Sequence, residues 1–237
     1  MEPELKTGLA GGILTPDSAH TVSPLELSRK FFALFQQQGG EFIQSKVTGF
    51  QCEGQRVTAV RCRQTLSCDE LFITAGAYSV SLLKQLGSKV PLDTERGYHL
   101  MLAKPGFDLY HNLIFPDRAF AATSMLEGLR LAGTVEFAGL KVAADYSRAF
   151  NLANSAAEVF PNLQKENGEL WMGFRPSVPD SVPVISASPN YRNAYFGFGH
   201  GHLGLTQAAV TGAMLTGLAE GKLPGIECEA YRVDRRW

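Results

Sequence analysis

The feature that most constrains this chain is a glycine-rich turn between a short apolar strand and a helix near its C-terminal end. Residues 199–204 read Gly-His-Gly-His-Leu-Gly, which matches the pattern G-x-G-x-x-G. The apolar run Tyr195–Phe198 precedes the turn, and the small-residue stretch Leu205–Glu220 that follows is predicted to be helical. Glycines allow close approach of the backbone to a ligand, and a helix N-terminus offers N–H groups to negative charge. The pattern therefore indicates either a turn that faces a cofactor or a tight structural turn.

A dinucleotide-binding unit cannot be completed around this turn within the sequence. The fingerprint requires a second strand that ends in an acidic residue about 20 positions further on. The chain instead reads Gly-Lys-Leu-Pro-Gly at residues 221–225, and its last residue is Trp237. An NAD-binding domain built on residues 199–204 is therefore a weak functional interpretation, and two stronger ones are given at the end of this subsection.

The order of the predicted elements favours an α+β, or mixed α/β, fold. Ser23 as N-cap and Pro24 at the first helical position predict a helix over residues 24–38. Short apolar runs over residues 41–73 indicate a strand meander, and its last run, Leu71–Ile73, is predicted to be buried on both faces. Further strands are predicted within 98–142, over 169–174 and over 195–198, and further helices over 79–86, 145–159 and 205–220.

Composition excludes several classes of protein. The 237 residues, 45% hydrophobic and 19% charged, suit a globular chain of one or two domains. A net charge of −1 does not supply the basic surface that nucleic acid requires, so no nucleic-acid partner is expected. No apolar run reaches the length of a transmembrane segment, about 20 residues, and the acidic start is unlike a signal peptide. We expect a cytoplasmic chain, or one peripheral to a membrane, with reduced thiols at Cys52, Cys62, Cys68 and Cys228.

One arginine and three histidines are candidates for chemistry. Arg175 lies at the end of a predicted strand, and its planar guanidinium suits a bidentate contact with a carboxylate. The alternative is a surface arginine that pairs with a nearby acid such as Asp180. The histidines His99, His200 and His202 could act as acid–base groups, but no spacing typical of a metal site accompanies them. No G-x-S-x-G elbow supports hydrolase chemistry.

An ordered series of segments resembles the FAD-dependent D-amino acid dehydrogenases, whose relatives include glycine oxidase and D-amino acid oxidase. The series includes Thr-Ala-Gly-Ala-Tyr-Ser at 74–79 and Trp-Met-Gly-Phe-Arg-Pro-Ser-Val-Pro-Asp at 171–180. The remaining segments are 2–5, 10–12, 96–98, 133–136, 183–185 and 199–206. The resemblance extends over essentially the whole chain and is specific for this superfamily rather than for one member.

The resemblance implies a flavin site and a substrate site. The turn after the last strand would bring a helix N-terminus to the flavin ring, where it stabilises negative charge. The cofactor-binding residues implied are Ala75, Gly76, Gly201, His202, Leu203, Gly204 and Thr206. The arginine that matches Arg175 binds the substrate carboxylate in the related oxidases, and Tyr98 is implied as a second substrate-binding residue. The reaction implied is hydride transfer from the α-carbon of an amino acid to FAD, and no catalytic protein base and no metal is assigned.

The resemblance also implies two domains. A partial FAD-binding domain is predicted over residues 22–95 and 181–237, and a substrate-binding domain with a mostly antiparallel sheet over residues 1–21 and 96–180. Helix 24–38 and the strands Leu71–Ile73 and Tyr195–Phe198 are expected to cluster in the first of these domains.

The chain departs from the family pattern in one respect. The family opens with a strand and a G-x-G-x-x-G loop for the ADP part of FAD, and neither precedes residue 199 here. We therefore expect the chain alone to hold FAD poorly and to be inactive without an FAD-binding half, which a partner chain could supply. A cofactor-binding surface left empty would be an exposed apolar patch and would favour self-association of the chain. The alternative function is a non-catalytic remnant or carboxylate-binding module of the same fold.

Overall fold

The structure, a computed structural model, describes residues 2–6, 8–222 and 225–237 and confirms a mixed α/β fold. The helices within these residues are α1 (Pro24–Gln37), α2 (Ser79–Gln85), α3 (Ser147–Ala157) and α4 (Gly204–Ala219). The strands are β1 (Gly49–Glu53), β2 (Arg56–Arg61), β3 (Thr65–Ser67), β4 (Leu71–Ile73), β5 (Asp93–Leu102), β6 (Leu113–Phe115), β7 (Phe120–Met125), β8 (Gly128–Phe137), β9 (Glu169–Ser177), β10 (Val184–Ala187) and β11 (Ala194–Phe198).

Helix α1 begins where the sequence predicts it. The Ser23 backbone is extended, and its hydroxyl oxygen accepts a hydrogen bond from the amide of Glu26 at 3.3 Å, while Pro24 takes the first helical position. The chain turns away at Gly39, whose φ of +87° lies in the left-handed region. None of the residues of α1 is buried, so its apolar side chains add little to the core.

The predicted meander forms an antiparallel sheet of β1, β2 and β3. Val57 and Ala59 of β2 are buried and the residues between and beside them are not, which is the alternation of a strand with one covered face. Residues 42–48, which we predicted as the start of the meander, form no strand. Strand β4 leaves the meander and joins another sheet.

A second sheet has the order β10-β11-β4. Strand β4 pairs in parallel with β11, so the expected clustering of Leu71–Ile73 with Tyr195–Phe198 is confirmed. Strand β10, which sequence patterning did not predict, pairs antiparallel with β11. The prediction that β4 is buried on both faces is wrong, because Phe72 is 43% exposed and stacks on Tyr195. Helix α4 packs mainly on β10 and β11, which leaves the second face of β4 without a helix above it.

Gly197 allows α4 to approach β11 closely. A Cβ atom at this position would lie 2.8 Å from a methyl group of Leu215 and 3.3 Å from one of Thr211. A larger residue would fit here only if the packed side chains of the helix moved. The last strand and the last helix are therefore held as one tightly packed pair.

The third sheet has five strands in the order β6-β7-β8-β5-β9. Strand β7 pairs antiparallel with both β6 and β8, as the prediction of a mostly antiparallel sheet requires. Leu129 and Leu131 of β8 pack with Leu152 and Ala156 of α3 in one hydrophobic core. This sheet contains both the predicted tyrosine, on β5, and the predicted arginine, on β9.

The chain divides into two compact units. The first comprises the described residues of Met1–Glu41, Arg96–Glu136 and Lys141–Gly173, and the second those of Phe42–Glu95, Phe137–Leu140 and Phe174–Trp237. Their identification as substrate-binding and FAD-binding domains stays a prediction. The described part of the chain leaves out four residues of the predicted ranges: Met1, Thr7, Leu223 and Pro224.

Three segments lie in a different compact unit from the rest of their predicted range. Residues 22–41, which contain α1, belong to the first unit, although we grouped α1 with the FAD-binding segments, and residues 137–140 and 174–180 belong to the second. The placement of α1 has a local cause: the hydroxyl of Ser23 donates to the carboxylate of Glu127 at 2.7 Å, and the amide of Leu126 donates to the carbonyl of Val22 at 2.8 Å. The entry to α1 is thus tied to the turn between β7 and β8.

Candidate functional site

Two glycine turns lie at the same edge of the second sheet. Because β4 and β11 are parallel, their carboxyl ends meet at one edge, and Ala75-Gly76 follows β4 while Gly199-His200-Gly201 follows β11. Gly76 has a φ of +53° and Gly201 one of +52°, conformations that side chains rarely allow. The space beyond the carboxyl ends of parallel strands is where ligands bind in open α/β sheets. The structure therefore brings the two predicted cofactor segments together.

The turn after β11 is held against the end of β9. His200 and Ser177 form an isolated antiparallel bridge, and the amide of Leu203 donates to the carbonyl of His200 at 2.9 Å. A Cβ atom at Gly199 would lie 3.3 Å from the side chain of Val178. These contacts fix the backbone of the turn before any ligand arrives.

Helix α4 starts directly after this turn. Gly204 is its first residue, Thr206 lies in its first turn, and no side chain caps its N-terminal N–H groups. Leu203 and Leu205, on either side of Gly204, are 52% and 45% exposed. The end of a 16-residue helix carries a partial positive charge, so this edge of the sheet suits a group that is or becomes negative.

His200 fastens the turn to the helix. Its Nε2 lies 2.9 Å from the hydroxyl oxygen of Thr211 on α4, and burial lowers the pKa of the imidazole. The bond to the hydroxyl of Thr211 gives His200 a structural role, and an acid–base role for this histidine stays a prediction.

Glu95 is hydrogen-bonded to His202, and its negative charge acts on Arg175. The Nε2 atom of His202 lies 3.2 Å from Oε2 of Glu95, near the start of β5. Burial lowers the pKa of the Arg175 guanidinium, and the negative charge of Glu95 opposes this shift. Strands β5 and β9 are neighbours in the five-stranded sheet, which explains why two residues 80 positions apart in sequence interact.

The alternative partner considered for Arg175 is engaged elsewhere. Asp180 accepts two hydrogen bonds from Arg235, at 2.9 Å to Nε and 3.1 Å to Nη2. Next to the arginine in sequence, Phe174 meets the ring of Tyr78 edge-on, with centroids 6.3 Å apart. Asp180 is thus already paired with Arg235, and the residue before Arg175 takes part in an aromatic contact.

Tyr98 belongs to the first unit and is fully engaged there. The side chain is 1% exposed, its hydroxyl donates to Glu136 at 2.6 Å, and the same oxygen accepts from the amide of Asp145 at 3.0 Å. Arg96, also buried, donates to the carbonyls of Val142 and Ala143. These bonds hold the loop after β8. The substrate-binding role of Tyr98 stays a prediction, and its burial argues against direct contact in this conformation.

His99, the next residue of β5, has a pKa well below that of a free histidine. Its ring stacks on that of Trp171, with centroids 4.8 Å apart and planes 16° from parallel. Burial and the positive charge of Arg130 lower its pKa from 6.5 to about 4. The ring is therefore neutral at pH 7, and its buried Nδ1 has no hydrogen-bond partner among the described residues.

The described part of the chain offers neither a metal-binding cluster nor a membrane-spanning helix. Among residues 2–6, 8–222 and 225–237, no three histidine, cysteine, aspartate or glutamate side chains cluster in a way that could hold a metal ion. No described helix has the length and apolar character needed to cross a membrane. The four cysteines are free thiols, as predicted.

The sequence matches one family over most of its length. The model of the family described as FAD dependent oxidoreductase covers residues 1–218. A D-amino-acid oxidase of Bradyrhizobium diazoefficiens is 32% identical over 239 aligned residues, which cover 99% of this chain and 57% of the relative. A D-amino acid dehydrogenase of Vibrio cholerae is 32% identical over 222 residues, 91% of this chain and 52% of the relative. The chain spans about half the length of these curated relatives.

Solved structures show the same fold at lower sequence identity. Iminodiacetate oxidase from Chelativorans superimposes with a TM-score of 0.76 at 20% identity, covering 87% of this chain and 57% of that one. Glycine oxidase from Geobacillus kaustophilus gives a TM-score of 0.73 at 18% identity, covering 83% and 53%. Both comparisons support the mixed α/β architecture described above.

Proposed function

Because this chain belongs to the family of FAD-dependent oxidoreductases, we propose that it carries the substrate site and the flavin-facing turn of an amino acid dehydrogenase or oxidase. D-amino acids are the proposed substrates, since D-amino-acid oxidase and D-amino acid dehydrogenase are the relatives that align over nearly the whole chain. The bound FAD would accept the two electrons of the reaction, and the residues of this chain would hold the substrate against it.

The described residues suit one end of FAD. Gly76 has open space where a Cβ would stand, and the nearest atom to a Cβ at Gly201 is 3.5 Å away, so both turns can accept a planar ring close to the backbone. The N-terminus of α4 would stabilise negative charge on the reduced flavin. We assign the flavin contacts to Ala75, Gly76, Gly201, His202, Leu203, Gly204 and Thr206.

Arg175 is the proposed anchor for the substrate carboxylate. The guanidinium is half-buried and remains charged at neutral pH, so a carboxylate would meet it in a sheltered place where a bidentate pair is strong. Holding the carboxylate fixes the α-carbon, whose hydrogen must point at the flavin for hydride transfer. We assign no protein base, because an amine that arrives neutral needs none.

The complete site requires an FAD-binding half in addition to this chain. The chain spans about half of its curated relatives, and the only G-x-G-x-x-G pattern in the sequence is the flavin-facing turn itself. The phosphates of FAD therefore lack the glycine-rich loop and helix that usually bind them. We propose that this half lies on the same or another polypeptide.

The observation that most supports this proposal is the pair of glycines Gly76 and Gly201. Both have a left-handed backbone conformation, and both lie beyond the carboxyl ends of parallel strands.

The test of the proposed function is to co-purify the chain with the FAD-binding half of the Vibrio cholerae relative and to add D- and L-amino acids without oxygen. We expect D-amino acids to bleach the yellow flavin. A flavin complex that no amino acid reduces would contradict the proposal, and carboxylate binding without reduction would support the carboxylate-binding module instead.

A further inference from the structure

The carboxylate of Glu95 interacts with a histidine and lies on the strand next to that of Arg175. It accepts a hydrogen bond from His202 at 3.2 Å, and its strand β5 is the neighbour of β9, which carries Arg175. The negative charge of Glu95 raises the pKa of that guanidinium. The Glu95 side chain is 22% exposed, whereas that of His202 is 58% exposed. Glu95 is thus the more sheltered member of the pair, and a strand rather than a loop fixes its position.

Arg175 and Glu95 carry opposite charges on neighbouring strands. A zwitterionic amino acid has the same two charges on neighbouring atoms, so its carboxylate can meet Arg175 while its ammonium meets Glu95. A carboxylate without an amine would place a second negative charge beside Glu95 and bring no cation for it. An uncompensated charge in a partly desolvated place is unfavourable.

We propose that Glu95 is a specificity-determining residue that selects α-amino acids over simple carboxylates by facing the substrate ammonium while Arg175 holds the carboxylate. This inference rests on the proposed function, because it takes Arg175 as the carboxylate anchor. His202 is a positioning residue in this arrangement, since its hydrogen bond orients the Glu95 carboxylate.

The probes for the test are D-alanine and propionate, which share a carbon skeleton and differ by the amine. Both charges belong to this chain, so affinities can be measured on the full ¹⁵N-labelled chain by following amide signals of β9 and of residues 199–204. We expect D-alanine to bind at least about tenfold more tightly than propionate. In Glu95→Gln, propionate should gain affinity and D-alanine should lose it, so that the ratio falls at least about tenfold.

Two further variants separate charge from shape. Glu95→Asp keeps the charge on a shorter side chain and should keep a preference for D-alanine. Glu53→Gln removes the same charge from an exposed position on β1 and should leave the ratio unchanged.

The outcomes distinguish the inference from the proposed function. An unchanged ratio in Glu95→Gln, with binding still dependent on Arg175, would overturn the role of Glu95 and leave the carboxylate anchor standing. Failure of the wild-type chain to bind either probe, both alone and in complex with the FAD-binding half, would overturn both. A Glu53→Gln variant that changes the ratio as much as Glu95→Gln would show a general charge effect and would also overturn the inference.

Discussion

His99 illustrates how neighbours set the chemistry of a single residue. The sequence identifies a histidine on a strand, but only the fold places its ring on Trp171 and near the charge of Arg130. Both surroundings disfavour the charged imidazole, since burial removes water and Arg130 repels a second positive charge. The side chain therefore remains neutral well below the pH at which a free histidine takes up a proton.

His99 should make the stability of the chain depend on pH. Its pKa is about 4 when folded and 6.5 when unfolded, so the unfolded chain binds the proton more readily. The contribution of neutral His99 is complete above pH 6.5 and is lost as the pH falls toward 4. Because the side chain is partly exposed, we expect about 1–2 kcal/mol.

The measurement is urea unfolding of wild type and His99→Phe, which keeps a flat ring against Trp171. The wild type should lose more free energy of unfolding than the variant between pH 7 and pH 4.5. Between pH 7 and pH 8, where His99 is neutral in both states, the two proteins should change equally. Parallel curves down to pH 4.5, or an NMR titration midpoint of His99 near 6.5, would contradict the prediction.

Arg175 should be the principal determinant of carboxylate affinity. Arg175→Met removes charge-assisted hydrogen bonds of about 1.5–3 kcal/mol each, and we expect at least about a tenfold loss of D-alanine affinity. Arg175→Lys should recover only part, because an ammonium cannot make a bidentate contact. The control is Arg192→Met, which removes an exposed arginine of the same unit that bonds to Gln55. Equal D-alanine affinities in the wild type and the three variants would contradict this prediction and would show that Arg175 has a structural role only.

For single residues, the sequence predicted the site residues that belong to recognisable motifs and missed the site residues that do not. Arg175 and the glycines of 199–204 stand in recognisable patterns, and the structure places them in one unit. Glu95 belongs to no motif, and only the pairing of β5 with β9 brings it near Arg175. Ser177 and Thr211 were missed for the same reason, since strand–turn and helix–turn contacts are not visible in a linear pattern.

Among the elements, helices with clear end signals were predicted best. Ser23 and Pro24 set the start of α1, and Gly87, with a φ of +76°, follows the end of α2. Strand β10 was missed because it is four residues long and lies between proline-containing turns. The burial of the two faces of β4 depends on where α4 packs. The three residues of β4 carry no information about the position of that helix.

Two glycines near α4 should respond oppositely to the same substitution. Gly197→Ala places a Cβ 2.8 Å from a terminal methyl of Leu215, so this packed side chain must shift, and we expect a loss of about 1 kcal/mol. Gly212 lies within α4 with open space around its Cβ position, so Gly212→Ala should stabilise the chain by up to about 1 kcal/mol. Urea unfolding of both variants measures the difference. A Gly197→Ala variant that is as stable as the wild type, or more stable, would show that the close approach at Gly197 is not a constraint.

For the whole molecule, the most unusual property is the apolar surface left uncovered. Helix α1 buries no residue, and its Phe31 and Phe35 are 62% and 48% exposed. In the other unit, α4 is apolar on all sides, yet only Thr211, Met214 and Leu215 are buried. Helices of this kind are usually covered by other protein. Each surface is consistent with the proposed need for an FAD-binding half.

We expect the purified chain to self-associate, and sedimentation velocity over a range of concentrations measures this directly. Phe31→Ser should weaken the association, because it removes a large exposed ring from α1. Gln36→Ser, a change at an exposed polar position of the same helix, should not. A chain that sediments as a monomer at every concentration would contradict the expectation.

The measurement that tests the central claim most directly is the amount of flavin bound per chain, with and without an FAD-binding half. The claim is that this chain supplies only the flavin-facing turn and the substrate anchor of an FAD-dependent oxidoreductase. Equilibrium dialysis against FAD should give far less than one flavin per chain for the chain alone and close to one for the complex. Gly201→Val, which places a branched side chain at a φ of +52°, should lower the second value. One tightly bound flavin in the isolated monomeric chain, or none in the complex, would contradict the account.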